Sequence, residues 1–220
     1  MRHQTAELSW AGDVPVSELY QDPYFSLEDG VAESIHVFLA GNGLPGRFRA
    51  GFRIAELGFG TGLNLILALR AARASGALPL CYTGFEAHPI SPEAMARALS
   101  AFPEISEDAR ALAIAWEKGT SIDTNELSAR VLLGSAEKTL PAWDGCADAW
   151  FLDGFAPARN PTLWTPALMS EVARHTAKGG TFATYTAAGH VRRGLAAAGF
   201  AVERRPGFGR KRHMSVGCLR

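Results

Sequence analysis

A short glycine-rich stretch is the first part of the chain that could support ligand chemistry. Glu56, Gly58, Gly60 and Gly62 form the spacing E-x-G-x-G-x-G between an apolar run and a helical pattern. Glycines at such a place let the backbone turn sharply and let a ligand approach it closely. The dinucleotide spacing G-x-G-x-x-G would need glycine at position 63, where this chain has Leu63. The spacing therefore disfavours a pyrophosphate cofactor.

Two acids flank this stretch and suggest which ligand it binds. Glu56 stands just before the loop, where a carboxylate suits S-adenosylmethionine, whose amino group and sulfonium are cationic. Glu86 ends the next predicted strand, and an acid there can accept hydrogen bonds from both ribose hydroxyls, a role that would serve NAD equally well. Phe59 and Asn64 complete the loop's predicted cofactor contacts. The alternative is a glycine-rich turn that binds nothing.

Asp153 is the candidate catalytic residue and a further candidate cofactor contact. It follows the apolar run Ala149–Leu152, which predicts a buried central strand. Ligands of open α/β sheets bind at the carboxyl ends of such strands, and an isolated carboxylate there is costly unless it is paired or used. We interpret Asp153 as the acceptor that orients a nucleophilic amine and takes its proton. An aspartate that only caps the following turn is the alternative.

Predicted strands and helices alternate along most of the chain, which indicates an α/β fold with a mostly parallel sheet and helices on both faces. Seven strands are predicted. The last two are joined by a short loop around Gly207 and Gly209, which is too short for a parallel crossover and predicts an antiparallel hairpin. This arrangement is typical of Rossmann-like class I methyltransferases.

Two further expectations concern the bounds of elements. A helix is expected over 166–180. Residues 1–50 are expected to form an N-terminal elaboration, and residues 51–220 the methyltransferase domain.

Net charge is zero over 220 residues, but the charge is unevenly distributed. The segment 190–220 holds eight Lys or Arg residues and a single acid. This excess indicates an anionic partner, although a solvated run of charge is the alternative. We predict that RNA phosphates are bound by two groups, Arg192 with Arg193 and Arg210 with Lys211 and Arg212.

The remaining composition gives expectations about location and metals. The three cysteines are far apart and form no Cys-x-x-Cys pair, so neither a disulfide framework nor a metal site is predicted. No apolar run is long enough for a membrane span, and the first residues lack the apolar core of a signal peptide. A cytoplasmic protein is the expectation.

Several segments resemble one family of tRNA-modifying enzymes across almost the whole chain. The matching segments are DPYFS, VFLAGNGLPGRF, AELGFGTGLN, DAWFLDGFAPARNP, GGTFATYTAAGHVRRGL and GFGRKRHM. The chain resembles the MnmD-like methyltransferases, which also form the N-terminal half of bifunctional MnmC. The segments LDGFAPARNP and GFGRKR are far more specific than the glycine loop.

The resemblance implies transfer of a methyl group from S-adenosylmethionine to the amine of 5-aminomethyl-2-thiouridine at the tRNA wobble position. Asp153 would face that amine, and Tyr24, Phe25 and Phe155 would exclude water and stack on the flipped base. Ser135 and His213 depart from the family pattern, which commonly has Asp and Glu there. Ser135 ends the third predicted strand, where the family's acid lies near the adenine amine, and it is predicted as a weaker cofactor contact at that place. The FAD-dependent oxidase half of MnmC is missing from this sequence, so a stand-alone methyltransferase is expected, with a separate oxidase as a candidate partner.

Three other interpretations stay open at this stage. A nicotinamide-dependent oxidoreductase is disfavoured by Leu63 and by the terminal hairpin. A non-catalytic RNA-binding scaffold is disfavoured by the intact glycine loop and by Asp153. A small-molecule amine N-methyltransferase is disfavoured by the basic C-terminal segment.

Overall fold

The computed structural model describes residues 5–220. The strands are β1 (Leu8–Ala11), β2 (Val14–Ser17), β3 (Asp22–Pro23), β4 (Phe52–Leu57), β5 (Leu80–Glu86), β6 (Ser121–Asp123), β7 (Leu127–Leu133), β8 (Ala147–Leu152), β9 (Thr176–Thr184), β10 (Phe200–Pro206) and β11 (His213–Leu219). The α-helices are α1 (Gly30–Ser34), α2 (Leu63–Ala74), α3 (Pro92–Leu99), α4 (Ser106–Lys118), α5 (Ala136–Thr139), α6 (Pro166–Arg174) and α7 (Gly189–Ala197).

The main sheet has eight strands in the order β10-β11-β9-β8-β4-β5-β7-β6. Strands β9, β8, β4, β5 and β7 pair in parallel, and β11 pairs antiparallel with both β9 and β10. The predicted fold class and the antiparallel terminal hairpin are thus confirmed. Parallel strands end at one edge of the sheet, so the residues after β4, β5 and β8 are brought together there.

The sheet has one strand more than predicted. β6 has three residues and pairs antiparallel with β7 at the sheet edge. The Thr124 hydroxyl accepts hydrogen bonds from the backbone N–H groups of Glu126 and Leu127, which folds the chain back between the two strands. A three-residue strand is too short to produce a recognisable alternation, so only its pairing with β7 reveals it.

Helices cover both faces of the sheet and divide the core in two. Helices α1 to α4 pack over one face and α5 to α7 over the other. Strand β8 serves both halves, since Phe151 packs in the first cluster and Trp150 in the second. All six residues of β8 are buried, including Asp148, and the apolar run Ala149–Leu152 predicts the burial of its second part.

The N-terminal elaboration has more strand structure than its sequence predicts. The stretch over 14–30, rich in Asp, Pro and Ser, predicts loop, and the stretch over 31–45 predicts a helix that breaks at Gly41–Gly43. Strands β1, β2 and β3 form a small antiparallel sheet. After α1 the chain continues as a π-helical turn over Ile35–Leu39 and a 3₁₀ turn over Ala40–Asn42. Val37, Phe38 and Leu39 are buried in the main core. The elaboration therefore shares the core of the main sheet.

Two helical assignments differ from the predictions. The helix expected over 166–180 ends at Arg174, and β9 already begins at Thr176. The backbone N–H of Ala147 donates to the carbonyl of His175, and Thr176 pairs with Ala147, so pairing with β8 takes these residues into the sheet. Helix α4 was not predicted at all. Within residues 5–220, no helix is both long and apolar enough to cross a membrane.

Candidate active site

The glycine loop turns between β4 and α2 with Gly58, Gly60 and Gly62 at φ values of 81°, 55° and 78°. This left-handed region favours glycine. Space is also limited at Gly58, where an added Cβ would lie 2.5 Å from the carbonyl oxygen of Asp153. The loop therefore packs directly against the turn that follows β8, and glycine is needed there for both reasons.

Glu56 lies beneath this loop and not on the wall of the adjacent cavity. It is fully buried, and its carboxylate accepts hydrogen bonds from the Asn64 amide at 2.6 Å and the Tyr82 hydroxyl at 2.8 Å. Burial, reinforced by the nearby Asp153 charge, raises the pKa of Glu56 well above its usual range. Both oxygens are engaged by the protein, so the structure shows Glu56 as an organiser of the loop's support.

Asp153 lies at the carboxyl end of β8 and lines the cavity. Its carboxylate accepts one hydrogen bond from the Asn64 amide and one from the Gly154 N–H, each at 2.9 Å. Burial raises the pKa of Asp153 to about 7, and these two hydrogen bonds oppose that rise. Asn64 thus bridges Asp153 and Glu56, which fixes the position of a carboxylate that is poised to titrate near neutrality.

Glu86 ends β5 on the other side of the glycine loop and also lines the cavity. It accepts hydrogen bonds from the backbone N–H groups of Gly60 at 2.9 Å and His88 at 2.8 Å. Burial raises the pKa of Glu86, and the backbone hydrogen bonds from Gly60 and His88 oppose that rise. The Gly60 contact ties Glu86 to the loop, at the position that the sequence predicts for a ribose contact.

Aromatic side chains from the N-terminal elaboration and the turn after β8 form one wall. Tyr20 stacks on Phe155 with ring centroids 4.7 Å apart, and Tyr24 meets Phe155 edge to face at 5.1 Å. Tyr24 also lies over the glycine loop, since an added Cβ on Gly60 would come within 3.1 Å of its ring. The Asp22 carboxylate accepts a hydrogen bond from the Ala156 N–H at 2.8 Å and holds the two segments together.

Phe25 and Phe59, the two other predicted aromatic contacts, each line the cavity and also pack against another aromatic ring. Phe25 lines the cavity and packs edge to face on Phe102. Phe59 also lines the cavity, but it is 4% exposed and stacks on Trp116. Its contact area is therefore mainly core.

The tip of the β10–β11 hairpin closes the cavity from the C-terminal side. The basic tip consists of Arg210, Lys211 and Arg212, and the first two line the cavity. Arg210 forms an ion pair with Glu28 at 2.9 Å, and Lys211 forms one with Glu33 at 2.7 Å. Two of the three predicted phosphate contacts thus form ion pairs with the N-terminal elaboration.

Several predicted ligand residues do not reach the cavity. Those outside its wall are Glu56, Gly62, Ser135, Arg192, Arg193 and Arg212. Ser135 is exposed just before α5, where its side chain makes no capping hydrogen bond. Arg192 and Arg193 lie on α7 and do not line the cavity. Their predicted roles in binding receive no geometric support.

Among the cavity-wall residues that sequence reasoning missed are Tyr20, Asp22, Glu28, Glu33 and Tyr185. Tyr185 directly follows β9, so the rule that identified Asp153, the carboxyl end of a parallel strand, could have found it. Glu33 lies in a short helix, and nothing in its spacing marks it.

The cavity has a volume of about 420 Å³ and suits a cationic ligand. Five carboxylates line it against two basic side chains; the acids are Asp22, Glu28, Glu33, Glu86 and Asp153. The Asn64 Oδ1 atom is buried there with no hydrogen-bond partner among the described residues. A ligand with a cationic amine and sulfonium, such as S-adenosylmethionine, fits this unpaired acceptor and this surplus of acid.

Comparison with known proteins identifies relatives with the same organisation. A family model described as S-adenosyl-L-methionine-dependent methyltransferase matches residues 103–220. The chain is 47% identical over 221 residues to a protein of Caulobacter sp. (strain K31) named tRNA 5-methylaminomethyl-2-thiouridine biosynthesis bifunctional protein MnmC. A protein of the same name from Chromobacterium violaceum is 41% identical over 232 residues. These alignments cover 93% and 100% of this chain but only 37% and 35% of the relatives.

Solved structures agree with this. The MnmC2 protein of Aquifex aeolicus superposes with a TM-score of 0.79 at 28% identity, covering 99% of this chain and 71% of the other. A precorrin-6y C5,15-methyltransferase from Geobacter metallireducens shares the fold, with a TM-score of 0.54 at 11% identity and 90% of each chain covered. The glycine loop, the acids around it and the match over more than half of the sequence lead to one conclusion: the chain belongs to the S-adenosyl-L-methionine-dependent methyltransferases.

Proposed function

We propose that this protein transfers a methyl group from S-adenosylmethionine to the primary amine of 5-aminomethyl-2-thiouridine at the wobble position of tRNA. The observation that carries the proposal is the Asp153 carboxylate, fixed by Asn64 and Gly154 inside an acidic cavity beside the glycine loop. The names of the bifunctional relatives supply the substrate class, and the chain spans about a third of their length.

The methyl donor would be held by groups that already line the cavity. Glu86 would accept hydrogen bonds from the ribose, the backbone around Gly60 would leave room for close approach, and Asn64 offers its unpaired oxygen. When bound, S-adenosylmethionine supplies a methyl group on a positively charged sulfur. The surrounding acids offset that charge, and alignment of the reactants provides much of the rate.

Asp153 has the position and the pKa of a proton acceptor. The incoming group is a primary ammonium in water, which has no lone pair until it loses a proton. With a pKa of about 7, a substantial fraction of Asp153 is deprotonated at neutral pH and can accept that proton. The freed lone pair would then be the nucleophile for the methyl group that bound S-adenosylmethionine supplies. The products would be the methylated, secondary ammonium and S-adenosylhomocysteine.

The aromatic wall is suited to a flipped nucleobase. Tyr20, Tyr24 and Phe155 form a packed set whose members line the cavity together. Aromatic rings bind unstacked RNA bases in this manner. Phe25 would extend the wall towards α1.

The RNA surface is assigned first to the basic tip, because it borders the cavity through Arg210 and Lys211. Arg192 and Arg193 remain a second candidate surface on α7. The division into an N-terminal elaboration over 1–50 and a methyltransferase domain over 51–220 is also part of this proposal, with residues 30–44 contributing to the main core. A cytoplasmic location, where tRNA is modified, and a separate FAD-dependent oxidase that supplies the primary amine both follow as parts of this proposal.

A small-molecule amine methyltransferase is the alternative that the acidic cavity would also accommodate. The test is to incubate the protein with labelled S-adenosylmethionine and tRNA that carries or lacks 5-aminomethyl-2-thiouridine, then digest and identify the labelled nucleoside. Label in methylaminomethyl-thiouridine only with the modified tRNA supports the proposal. An unlabelled modified tRNA under conditions where the protein binds S-adenosylmethionine contradicts it.

A further inference from the structure

The ion pair between Lys211 and Glu33 has an unusual setting for a surface pair. Glu33 is only 12% exposed in its side chain and lines the cavity. The Lys211 Nζ atom lies 2.7 Å from a Glu33 carboxylate oxygen and 4.2 Å from the centroid of the Tyr185 ring. A primary ammonium therefore sits between a carboxylate and an aromatic face, both of which favour a cation.

The Tyr185 ring is fixed in this position by the turn that carries Asp153. The Tyr185 hydroxyl donates a hydrogen bond to the Gly154 carbonyl at 2.7 Å, directly after Asp153 in the chain. Lys211, Glu33, Tyr185 and Asp153 all line the same cavity. The cation position is therefore next to the proposed proton acceptor.

We propose that Glu33 and the ring of Tyr185 form the subsite for the substrate's primary ammonium, and that Lys211 occupies this subsite until the substrate displaces it. Lys211 resembles the substrate group, since both are primary ammonium ions on a flexible methylene. Once displaced, Lys211 is released from Glu33 and becomes free to bind an RNA phosphate. This inference rests on the proposed function and adds a specificity-determining residue, Glu33, to it.

The two residues of the pair should then have opposite effects on binding of the amine. Glu33→Gln removes the carboxylate that holds the ammonium and should weaken binding about 10-fold or more. Lys211→Met removes the competing ammonium and should tighten binding several-fold, because more of the protein is then competent to bind. If the pair only fixes the hairpin, both variants break the same contact and change affinity in the same direction.

The measurement is the affinity of the nucleoside 5-aminomethyluridine, which has no phosphate, in the presence of S-adenosylhomocysteine, by equilibrium dialysis. 5-Hydroxymethyluridine is the matched probe without an amine, and neither variant should change its affinity. Arg205→Met is the matched protein control, because it breaks the exposed Arg205–Glu203 pair on the same hairpin. Glu33→Asp keeps the charge and should retain a preference for the amine.

Opposite shifts for the two variants, limited to the amine-bearing nucleoside, support the subsite. Shifts in the same direction, no shifts, or equal affinity of the Lys211→Met protein for the two nucleosides would overturn it. Methyl transfer to modified tRNA by the unaltered protein is scored separately, so the proposed function can stand when the subsite fails. Should Glu33→Gln fail to fold, Lys211→Met and Glu33→Asp still decide the question.

Discussion

Replacing Asp153 by asparagine should stabilise the fold above neutral pH. Burial raises the pKa of Asp153 from 3.8 to about 7, so between these values the folded protein keeps a proton that the unfolded chain has lost. A raised folded-state pKa means that this group makes stability fall as the pH rises from about 4 to about 7. A difference of about 3 pKa units corresponds to roughly 4 kcal/mol.

Part of this gain is offset in the variant by a lost hydrogen bond. Asp153 accepts hydrogen bonds from both Asn64 and Gly154, and an asparagine amide can accept only one of them. The loss costs about 1 kcal/mol. The expected net gain in the free energy of unfolding is therefore about 3 kcal/mol at pH 8, and it should shrink towards zero or below at pH 4.

Urea unfolding of both proteins at pH 4 and pH 8 measures this difference, and Asp148→Asn provides a control of opposite sign. Burial alone would raise the pKa of Asp148, but hydrogen bonds from Arg53 and Arg49 hold that pKa at about 2. A depressed folded-state pKa contributes stability above about pH 4 that is lost as the pH falls towards 2. Because both arginines are about half exposed, Asp148→Asn should cost only about 1–2 kcal/mol at pH 8.

The same Asp153→Asn protein should lose catalysis. Single-turnover methyl transfer should fall about 10²-fold or more, with little change in the affinity for S-adenosylmethionine. If the Asp153→Asn variant gains no stability at pH 8 relative to pH 4, burial does not raise the pKa of Asp153 as described above. A near-normal rate at neutral pH would mean that Asp153 only caps the turn after β8.

Three further predictions concern the cofactor, the loop and the RNA. Glu86→Ala should weaken S-adenosylmethionine binding by about 1.5–3 kcal/mol, and calorimetry showing unchanged affinity in a folded protein would contradict the ribose contact. Gly58→Ala should lower the free energy of unfolding by about 1–3 kcal/mol more than the control Gly76→Ala does. Both glycines have positive φ, but only Gly58 is crowded, by Asp153, so equal urea midpoints for the two variants would contradict this. Neutralising the basic tip should weaken tRNA binding and flatten its dependence on salt, and equal slopes for variant and parent would exclude it as the RNA surface.

The sequence by itself was enough to predict the fold class and the cofactor. Strand and helix patterns alternate over most of the chain, and the short connection around Gly207 and Gly209 permits only an antiparallel hairpin. The glycine spacing and Asp153 were found because both depend on local rules, the conformational freedom of glycine and the chemistry at the end of a central strand. Such rules act over a few residues, so they can be read along the chain.

Only the tertiary structure decided which side chains share the cavity. Glu56 precedes the glycine loop in the sequence, yet the packing of Tyr82 and Asn64 around it turns it into a buried support. Lys211 was predicted to bind phosphate, and the structure pairs it with Glu33, 178 residues away in the chain. Neither spacing nor propensity encodes such long-range pairs, because they form only when the N-terminal elaboration and the C-terminal hairpin pack over the same edge of the sheet.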